Sequence, residues 1–322
     1  MAEFVIIGGG VYGAGVAYWL AEQGAEVVLL EARDIGNGAS AGPGKRGTRA
    51  NGRDVRELPL IRLSHDMWPT LHERLGAPAF FETTGHLQLI EREQDVAAAE
   101  ARALMQNSFG TETHLLDRSA VRDIEPAVSD AVIGALHCPR DGVTDHTAAT
   151  EAFAEAARRA GAEVRTNTKV VAVERRGERV EAVVTSAGDR VEVGRCLYML
   201  ANAGVPQLLG EALRLPVWSR TFQVLITAPV AGPGIRHLIG HMSRTLAVKS
   251  EAGGRIMVSG GLPGIWDPVA ERGTAVAASI EANLADAAAV FPMLDGAEVA
   301  IADADHLETV SVDGIPVIDE VP

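Results

Sequence analysis

Three glycines near the start of the chain and one acid further on have the types and spacing of a phosphate- and sugar-binding site. Gly8, Gly10 and Gly13 form the pattern G-x-G-x-x-G, and Glu31 follows the next apolar run. Glycines allow a tight turn and a close approach of the backbone to a diphosphate, while a helix N-terminus offers free N–H groups. The Glu31 carboxylate can accept hydrogen bonds from a ribose hydroxyl, and its charge disfavours a 2′-phosphate. These residues therefore predict a dinucleotide site.

The elements that position these residues follow the order strand, turn, helix, strand. Glu3–Ile7 and Val27–Leu30 are short apolar runs typical of buried strands, and small apolar residues recur at helical spacing between them until Gly24. A glycine turn needed only for packing gives no role to Glu31, so the whole unit favours dinucleotide binding. The local pattern fits FAD and NAD equally, because both contain ADP.

Segments along the rest of the chain resemble the amino-acid oxidase group of FAD-dependent oxidoreductases, which includes D-amino-acid, glycine and sarcosine oxidases. In chain order they are Gly38–Ser40, Thr84–Leu89, Asp141-Gly142 with the helical pattern after it, Lys169–Glu174, Ala201–Gly204 and Val310–Ile318. None of these segments is specific alone, and their order across nearly the whole chain carries the resemblance. It favours FAD over NAD and makes an NAD-dependent dehydrogenase improbable.

The resemblance implies that FAD is bound non-covalently, since His306–Val310 lacks the cysteine that holds flavin in some sarcosine oxidases. The glycine motif and the resemblance together predict these cofactor-binding residues: Gly8, Gly10, Val11, Tyr12, Gly13, Glu31, Ala32, Arg33, Ser40, Lys45, Arg46, Gly47, Val170, Ala203 and Gly204.

The predicted fold class is α/β, with a Rossmann-like FAD-binding domain interleaved with an α+β substrate domain built on an antiparallel sheet. The FAD-binding domain is predicted over residues 1–78, 141–215 and 301–322, and the substrate domain over 79–140 and 216–300. The substrate domain is predicted from strand-like runs at Val217–Ala228, Thr245–Lys249 and Arg255–Ser259 and helical runs at Asp95–Gln106 and Ala275–Val290. We expect the active site between the two domains.

An enzyme of this kind oxidises the C–N bond of a small amine or amino acid by hydride transfer to flavin N5. An amino-acid substrate needs a cation for its carboxylate, and arginine is preferred because its fork is bidentate. The predicted catalytic residues are Arg49, Lys249 and His241. Phosphate contact or a surface ion pair is the alternative for Arg49, and a solvated strand end is the alternative for Lys249.

The end of the sequence departs from the family pattern. In the family, the segment resembling Val310–Ile318 is followed by a strand, a Gly-His-Gly-like turn and a helix facing the flavin, whereas this sequence stops at Pro322. We expect a truncated chain, or a second chain that supplies the missing element. The alternative function is therefore an incomplete or non-catalytic flavoprotein, such as one subunit of a hetero-oligomeric dehydrogenase.

Composition limits the partners. The formal net charge of −14 and the lack of a basic stretch disfavour nucleic acid, and no apolar run has the length of a membrane span. Cys138 and Cys196 are the only cysteines, so no disulfide framework is expected. His237 and His241 are four apart, but the glycines around them argue against a helix, and no metal is predicted. We expect a cytoplasmic protein reoxidised by oxygen or a carrier, with homo- and hetero-oligomers both open.

Overall fold

The computed structural model describes residues 2–38, 42–210 and 213–320, which form two large β-sheets joined by a small one. The first large sheet has six strands, which are, in sheet order, β10 (Val170–Arg176), β11 (Arg179–Thr185), β12 (Arg190–Met199), β1 (Ala2–Ile7), β2 (Val27–Leu30) and β9 (Glu163–Arg165). Strands β12, β1, β2 and β9 are parallel neighbours, while β10 and β11 extend the sheet as an antiparallel hairpin.

Both faces of β1 from Phe4 to Ile7 and of β2 are buried, which explains why these two runs are apolar without a break. Phe4 and Ile6 of β1 pack into one hydrophobic cluster, and Val5 and Ile7 pack into another on the opposite face. Each fully buried side chain of this size contributes roughly 1.5–3 kcal/mol to folding.

The helices lie around and between the sheets. They are α1 (Val11–Glu22), α2 (Leu58–Met67), α3 (Leu71–Arg74), α4 (Glu93–Ser108), α5 (Arg118–Ile124), α6 (His146–Arg159), α7 (Val205–Leu209) and α8 (Ala277–Val290). Alanines of α1 and α6 share the cluster that contains Phe4 and Ile6, so these two helices cover one face of the six-stranded sheet. Asp145 caps α6 by accepting a hydrogen bond from the Ala148 N–H at 3.0 Å.

The second large sheet has eight strands and is antiparallel except for one pair. Its strands, in sheet order, are β20 (Val299–Asp303), β14 (Val224–Thr227), β17 (Arg255–Ser259), β16 (Ala247–Glu251), β15 (Leu238–His241), β5 (His86–Ile90), β7 (Gly134–Cys138) and β6 (His114–Asp117). Within this eight-stranded sheet, the parallel pair is β15 and β5. One face of this sheet packs against α8 through a core that includes Ile239, Val248 and Val258.

Three smaller sheets complete the described fold. Strands β3 (Arg46–Thr48), β8 (Gly142–Thr144) and β4 (Phe81–Glu82) form the sheet that joins the two large ones, and the others pair β13 (Val217–Thr221) with β21 (Leu307–Ser311) and β18 (Ile265–Asp267) with β19 (Arg272–Thr274). The predicted strand Val217–Ala228 is wrong as a single element, because the chain leaves β13 and enters a different sheet at β14.

The predicted α/β class, with a Rossmann-like sheet interleaved with an antiparallel one, is confirmed. All six strands of the first sheet come from residues 1–78 and 141–215, whereas β20 spans the predicted boundary at 301 and lies in the eight-stranded sheet. The exact domain boundaries stay a prediction. Among the helices of the described residues, none combines the length and apolar character needed to cross a bilayer.

Candidate functional site

The glycine turn and four further predicted cofactor residues, Glu31, Ala32, Ala203 and Gly204, follow strands of the six-stranded sheet at one of its edges. Strands β1, β2, β9 and β12 run parallel, so their carboxyl ends meet at the same edge. The glycine turn follows β1, Glu31 follows β2, and Ala203 and Gly204 lie in a 3₁₀ turn after β12. Ligands of open parallel sheets bind at this edge.

The glycine turn packs so tightly that two of its positions exclude any side chain. Gly8 has φ +107°, and a Cβ there would lie 2.5 Å from the Leu200 carbonyl oxygen. A Cβ on Gly13 would lie 1.8 Å from the Gly8 carbonyl oxygen. The turn therefore brings the start of α1 directly against β1 and β12.

Gly10 is different, because a Cβ there would meet no atom within 4 Å. It precedes α1, whose first turn has no side-chain cap and no acidic residue. Val11 and Tyr12, the first helical residues, are exposed, with 40% and 69% of their surface accessible. The N-terminal N–H groups of α1 thus face an open cradle, as phosphate binding requires.

Glu31 lies beside this cradle and is held by backbone groups. Its Oε2 accepts a hydrogen bond from the Gly9 N–H at 2.5 Å, and its Oε1 accepts one from the Arg33 N–H at 2.8 Å. The Glu31 carbonyl accepts a hydrogen bond from the Thr168 N–H at 2.7 Å, two residues before β10 begins at Val170. Ala32 and Arg33 are exposed next to it. The acid and the start of β10 are therefore neighbours.

The loop after residue 41 joins the cradle to the eight-stranded sheet, whereas Ser40 lies outside the described residues. Lys45 forms an ion pair with Glu82, and its N–H donates to Glu251 Oε1 at 2.7 Å. Arg46 Nη1 donates to the Pro43 carbonyl at 3.0 Å, and burial lowers the pKa of Arg46. A Cβ on Gly47 would lie 2.8 Å from Leu238 Cδ2, so the loop lies directly on the sheet.

Lys249 lies on the face of the eight-stranded sheet that this loop covers. Val248 packs on the α8 side, and alternation along β16 puts Lys249 on the other face, opposite Met257 of β17. Lys249 is only 5% exposed, so the alternative interpretation of this residue as a solvated strand end is wrong. Burial, and then the charge of Arg46, lower its pKa to about 7.

His241 is not brought together with Lys249. Counting along β15, it lies on the same face as Ile239, which is the face covered by α8. Its Nδ1 accepts hydrogen bonds from the Ser243 and Arg244 N–H groups, both at 3.1 Å. Its Nε2 lies 3.3 Å from Glu91 Oε2, and Arg244 bridges Glu91 to Asp286 of α8. This network holds the β15–β16 turn, on the far side of the sheet from the loop.

Arg49 lies at the end of the loop, just after β3. Its Nη1 donates to the Asn51 carbonyl at 2.5 Å, and the described residues give it no carboxylate within ion-pair distance. Burial, and then the neighbouring charge of Arg53, lower its pKa to about 10. Arg49 is therefore a half-buried cation to which the described residues offer one hydrogen-bond acceptor, the Asn51 carbonyl, and no carboxylate partner.

A buried group that the sequence analysis did not assign to the site lies behind Arg49. Asp141 is fully buried, and its Oδ1 accepts hydrogen bonds from the Ala50 N–H at 2.7 Å and from His65 Nε2 at 2.9 Å. Its Oδ2 accepts one from the Asn51 N–H at 3.0 Å. Asp141 is 76 positions from His65 and 91 from Ala50, so no local pattern in the sequence marks the cluster.

His65, Cys138 and Asp141 bring possible metal-ligand atoms within 4.8 Å of one another. Hydrogen bonds already occupy the Asp141 oxygens, and burial raises the pKa of the Cys138 thiol to about 12, far from the thiolate that a metal needs. The thiol also donates to the Thr111 carbonyl at 3.2 Å. We therefore assign no metal to this cluster.

The residues at the sheet edge fit the ADP part of a dinucleotide. An uncapped helix N-terminus, a cradle that a Cβ on Gly10 would fill and a carboxylate at the end of β2 are the three groups that diphosphate and ribose need. The assignments of Val170, Ala203 and Gly204 to the cofactor stay predictions.

The curated proteins that are similar to the chain include a synthase subunit and an oxidase. The chain is 30% identical over 271 residues to hydrogen cyanide synthase subunit HcnC of Pseudomonas aeruginosa, and the match covers 70% of this chain and 64% of that protein. It is also 30% identical over 224 residues to 4-methylaminobutanoate oxidase (formaldehyde-forming) of Paenarthrobacter nicotinovorans, covering 67% of this chain and 27% of that protein. The chain thus spans less than two thirds of either relative.

Solved structures show the same fold. The superposition on L-proline dehydrogenase from P. horikoshii covers 100% of this chain and 85% of the dehydrogenase chain, with a TM-score of 0.88 and 25% sequence identity. Glycine oxidase from Geobacillus kaustophilus matches 100% of this chain and 86% of its own, with a TM-score of 0.86 and 22% identity. The family model described as "DAO: FAD dependent oxidoreductase" matches residues 3–322. The chain belongs to this DAO family of FAD-dependent oxidoreductases.

Proposed function

We propose that the protein binds FAD non-covalently and oxidises the C–N bond of a small amino acid or of an amine that carries a carboxylate. The amides at the start of α1 hold the diphosphate over Gly10, and Glu31 holds the ribose. When bound, the flavin supplies a hydride acceptor at N5. The chain's own residues bind and orient the substrate.

The environment of Arg49 is the observation that supports the proposal most directly. The guanidinium of Arg49 is partly buried and has one carbonyl partner and no carboxylate partner among the described residues. Such a group is suited to forming two parallel hydrogen bonds to a substrate carboxylate. Among the similar proteins, 4-methylaminobutanoate oxidase and L-proline dehydrogenase are named for molecules that carry both an amine and a carboxylate. This supports a substrate carboxylate on Arg49.

Lys249 is proposed to accept a proton from the substrate ammonium group. A substrate ammonium must lose a proton before its C–H bond can give up a hydride. Because the pKa of Lys249 is lowered to about 7, a large part of the population is neutral at neutral pH and can accept that proton.

The name of HcnC, a subunit of a synthase, favours a second candidate. In this alternative the chain is one flavin-binding subunit of a hetero-oligomer and turns over only with its partner.

Substrate oxidation is tested by loading the protein with FAD and following anaerobic bleaching of the flavin with a panel of amino acids. Each amino acid is paired with the amine that lacks its carboxylate. We expect the amino acids to bleach the flavin, and Arg49→Ala to raise KM for them about 10- to 100-fold, as loss of a charged hydrogen bond predicts. The same variant should change KM for the amines less than about 3-fold.

Two variants serve as controls. Arg49→Lys keeps the charge but loses the fork, so its KM should lie between those of the parent and Arg49→Ala. Arg122→Ala removes an exposed arginine of α5 that pairs with Asp130, and it should have no effect. If the bound flavin is bleached by none of the amino acids or amines, the oxidase function is excluded and the subunit function remains. If amino acids bleach the flavin but Arg49→Ala leaves their KM unchanged, Arg49 does not bind the substrate carboxylate.

A further inference from the structure

Asp141 lies at the junction between the eight-stranded sheet and the three-stranded one. The chain turns there from β7 into β8, and the Asp141 N–H donates to the Cys138 carbonyl at 3.3 Å. The Asp141 carbonyl accepts from the Gly85 N–H at 2.8 Å, just before β5. Its backbone is therefore fixed by both strands that enter the junction.

The Asp141 carboxylate holds the turn that follows Arg49. It accepts the N–H groups of Ala50 and Asn51, at 2.7 Å and 3.0 Å, and the Arg53 N–H closes the turn on the Ala50 carbonyl at 3.0 Å. The Asn51 carbonyl then accepts Arg49 Nη1 at 2.5 Å. A continuous series of hydrogen bonds thus runs from Asp141 through Asn51 to the guanidinium.

The carboxylate is charged and its acceptors are occupied. Burial opposes ionisation, but the hydrogen bond from His65, the nearby His86 with its Nδ1 3.6 Å from Oδ2, and the hydrogen bond from the Ala50 N–H hold the pKa of Asp141 well below its ordinary value. Its negative charge favours the charged form of Arg49, although the structure shows no hydrogen bond between the two side chains. Asp141 therefore balances the charge of Arg49 without using the donors that an anionic ligand would need.

We propose that Asp141 is a positioning residue for Arg49, holding the Ala50–Arg53 turn so that the guanidinium is set to receive the substrate carboxylate. This inference rests on the proposed function of Arg49. It assigns the selectivity for carboxylated substrates to a buried acid that does not touch the substrate.

The test is Asp141→Asn, which keeps the size of the side chain but replaces an acceptor oxygen with an NH₂ group. Asp145→Asn is the matched control, because it makes the same change four residues later at the N-cap of α6, where Asn and Asp serve equally well. Hydrogen exchange of the Ala50 and Asn51 amides is measured in the purified chain without substrate. KM is measured in the FAD-loaded protein for an amino acid and for its decarboxylated amine.

We expect Asp141→Asn to speed exchange of both amides at least about 10-fold and to raise KM for the amino acid about 10-fold or more. KM for the amine, the FAD content and exchange in β7 should stay unchanged, and Asp145→Asn should match the parent throughout. A merely structural role would move both KM values together.

Three results overturn the proposal. Unchanged exchange of the two amides shows that the carboxylate does not hold the turn. Equal changes in both KM values show a general loss of structure. An unchanged amino-acid KM in Asp141→Asn, in a protein where Arg49→Ala does raise it, shows that Arg49 does not depend on Asp141.

If Arg49→Ala also leaves that KM unchanged, the proposed role of Arg49 fails and this inference fails with it. Should Asp141→Asn not fold, Asn51→Ala tests the same turn, because it removes the side-chain hydrogen bonds to the Leu136 carbonyl at 2.8 Å and to the His86 carbonyl at 3.5 Å, which anchor the turn to β7 and β5. The same split between the two KM values is expected, and its absence overturns the proposal.

Discussion

Lys249 is a buried lysine with two guanidinium groups and one carboxylate near its charge. Arg46 and Arg49 lower its pKa and Glu251 raises it, but burial is the largest effect and brings the pKa to about 7 from an ordinary 10.5. Between these two values the unfolded chain keeps a proton that the folded chain has lost. Stability therefore rises with pH across this window and falls as the pH drops towards about 7.

We predict that Lys249→Met removes this dependence. From about pH 7 to about pH 9 the unfolding free energy of the parent protein should gain about 2 kcal/mol more than that of the variant. Urea unfolding at both pH values measures this difference, and comparison with the variant cancels other titrating groups. Parallel pH profiles would mean that Lys249 keeps its ordinary pKa in the folded chain.

Lys249 and His241 show what the sequence could and could not predict at this scale. Both were predicted in the site as basic residues of the substrate domain, and both lie in strands of the same sheet. Which face each side chain takes depends on the register of β15 against β16, which pairs Ile239 with Val248. Because that register is a tertiary property, nothing in the sequence separates the lysine, which faces the loop, from the histidine, which faces α8.

At the scale of elements, the β1–α1–β2 unit was predictable because all of its information is contiguous. Apolar runs, glycines and the acid lie within the first 31 residues, and the structure forms each element where the pattern indicates. The cluster of Asp141, His65 and Ala50 was not predictable, since it forms only when three distant segments meet at the sheet junction.

The start of α1 gives a prediction with an internal control. Neither Gly10 nor Gly15 has an atom within 4 Å of the position of a Cβ, so alanine fits at both sites in the structure. Only the Cβ at Gly10 would enter the cradle proposed for the diphosphate. Gly10→Ala should weaken FAD binding at least about 10-fold, about 1.4 kcal/mol, whereas Gly15→Ala should keep FAD affinity and gain up to about 1 kcal/mol of stability.

Quenching of flavin fluorescence measures the affinity, and urea unfolding of the FAD-free chains shows whether each variant is folded. Equal FAD affinity in the two variants would place the diphosphate elsewhere.

At the scale of the whole molecule, the two large sheets have separate hydrophobic cores but share backbone connections. Leu29 lies in the core beneath α1 and α6, and Val248 lies in the core beneath α8. The sheet of β3, β8 and β4 connects them, and the Lys45 N–H bond to Glu251 and the Asn51 side-chain bond to the Leu136 carbonyl cross the same junction. Because the connecting strands pair with each other, opening one large sheet should disrupt the other.

We therefore predict that the chain unfolds as one cooperative unit. Leu29 and Val248 are both fully buried in central strands, so their amides exchange with solvent only through large openings. Their opening free energies should agree within about 1 kcal/mol, and FAD at about 100 times its Kd should raise both by about 2.7 kcal/mol. Native-state hydrogen exchange with and without FAD measures both amides in one sample. If FAD protects Leu29 alone, the two sheets open independently, and the small sheet is a hinge between them rather than a rigid joint.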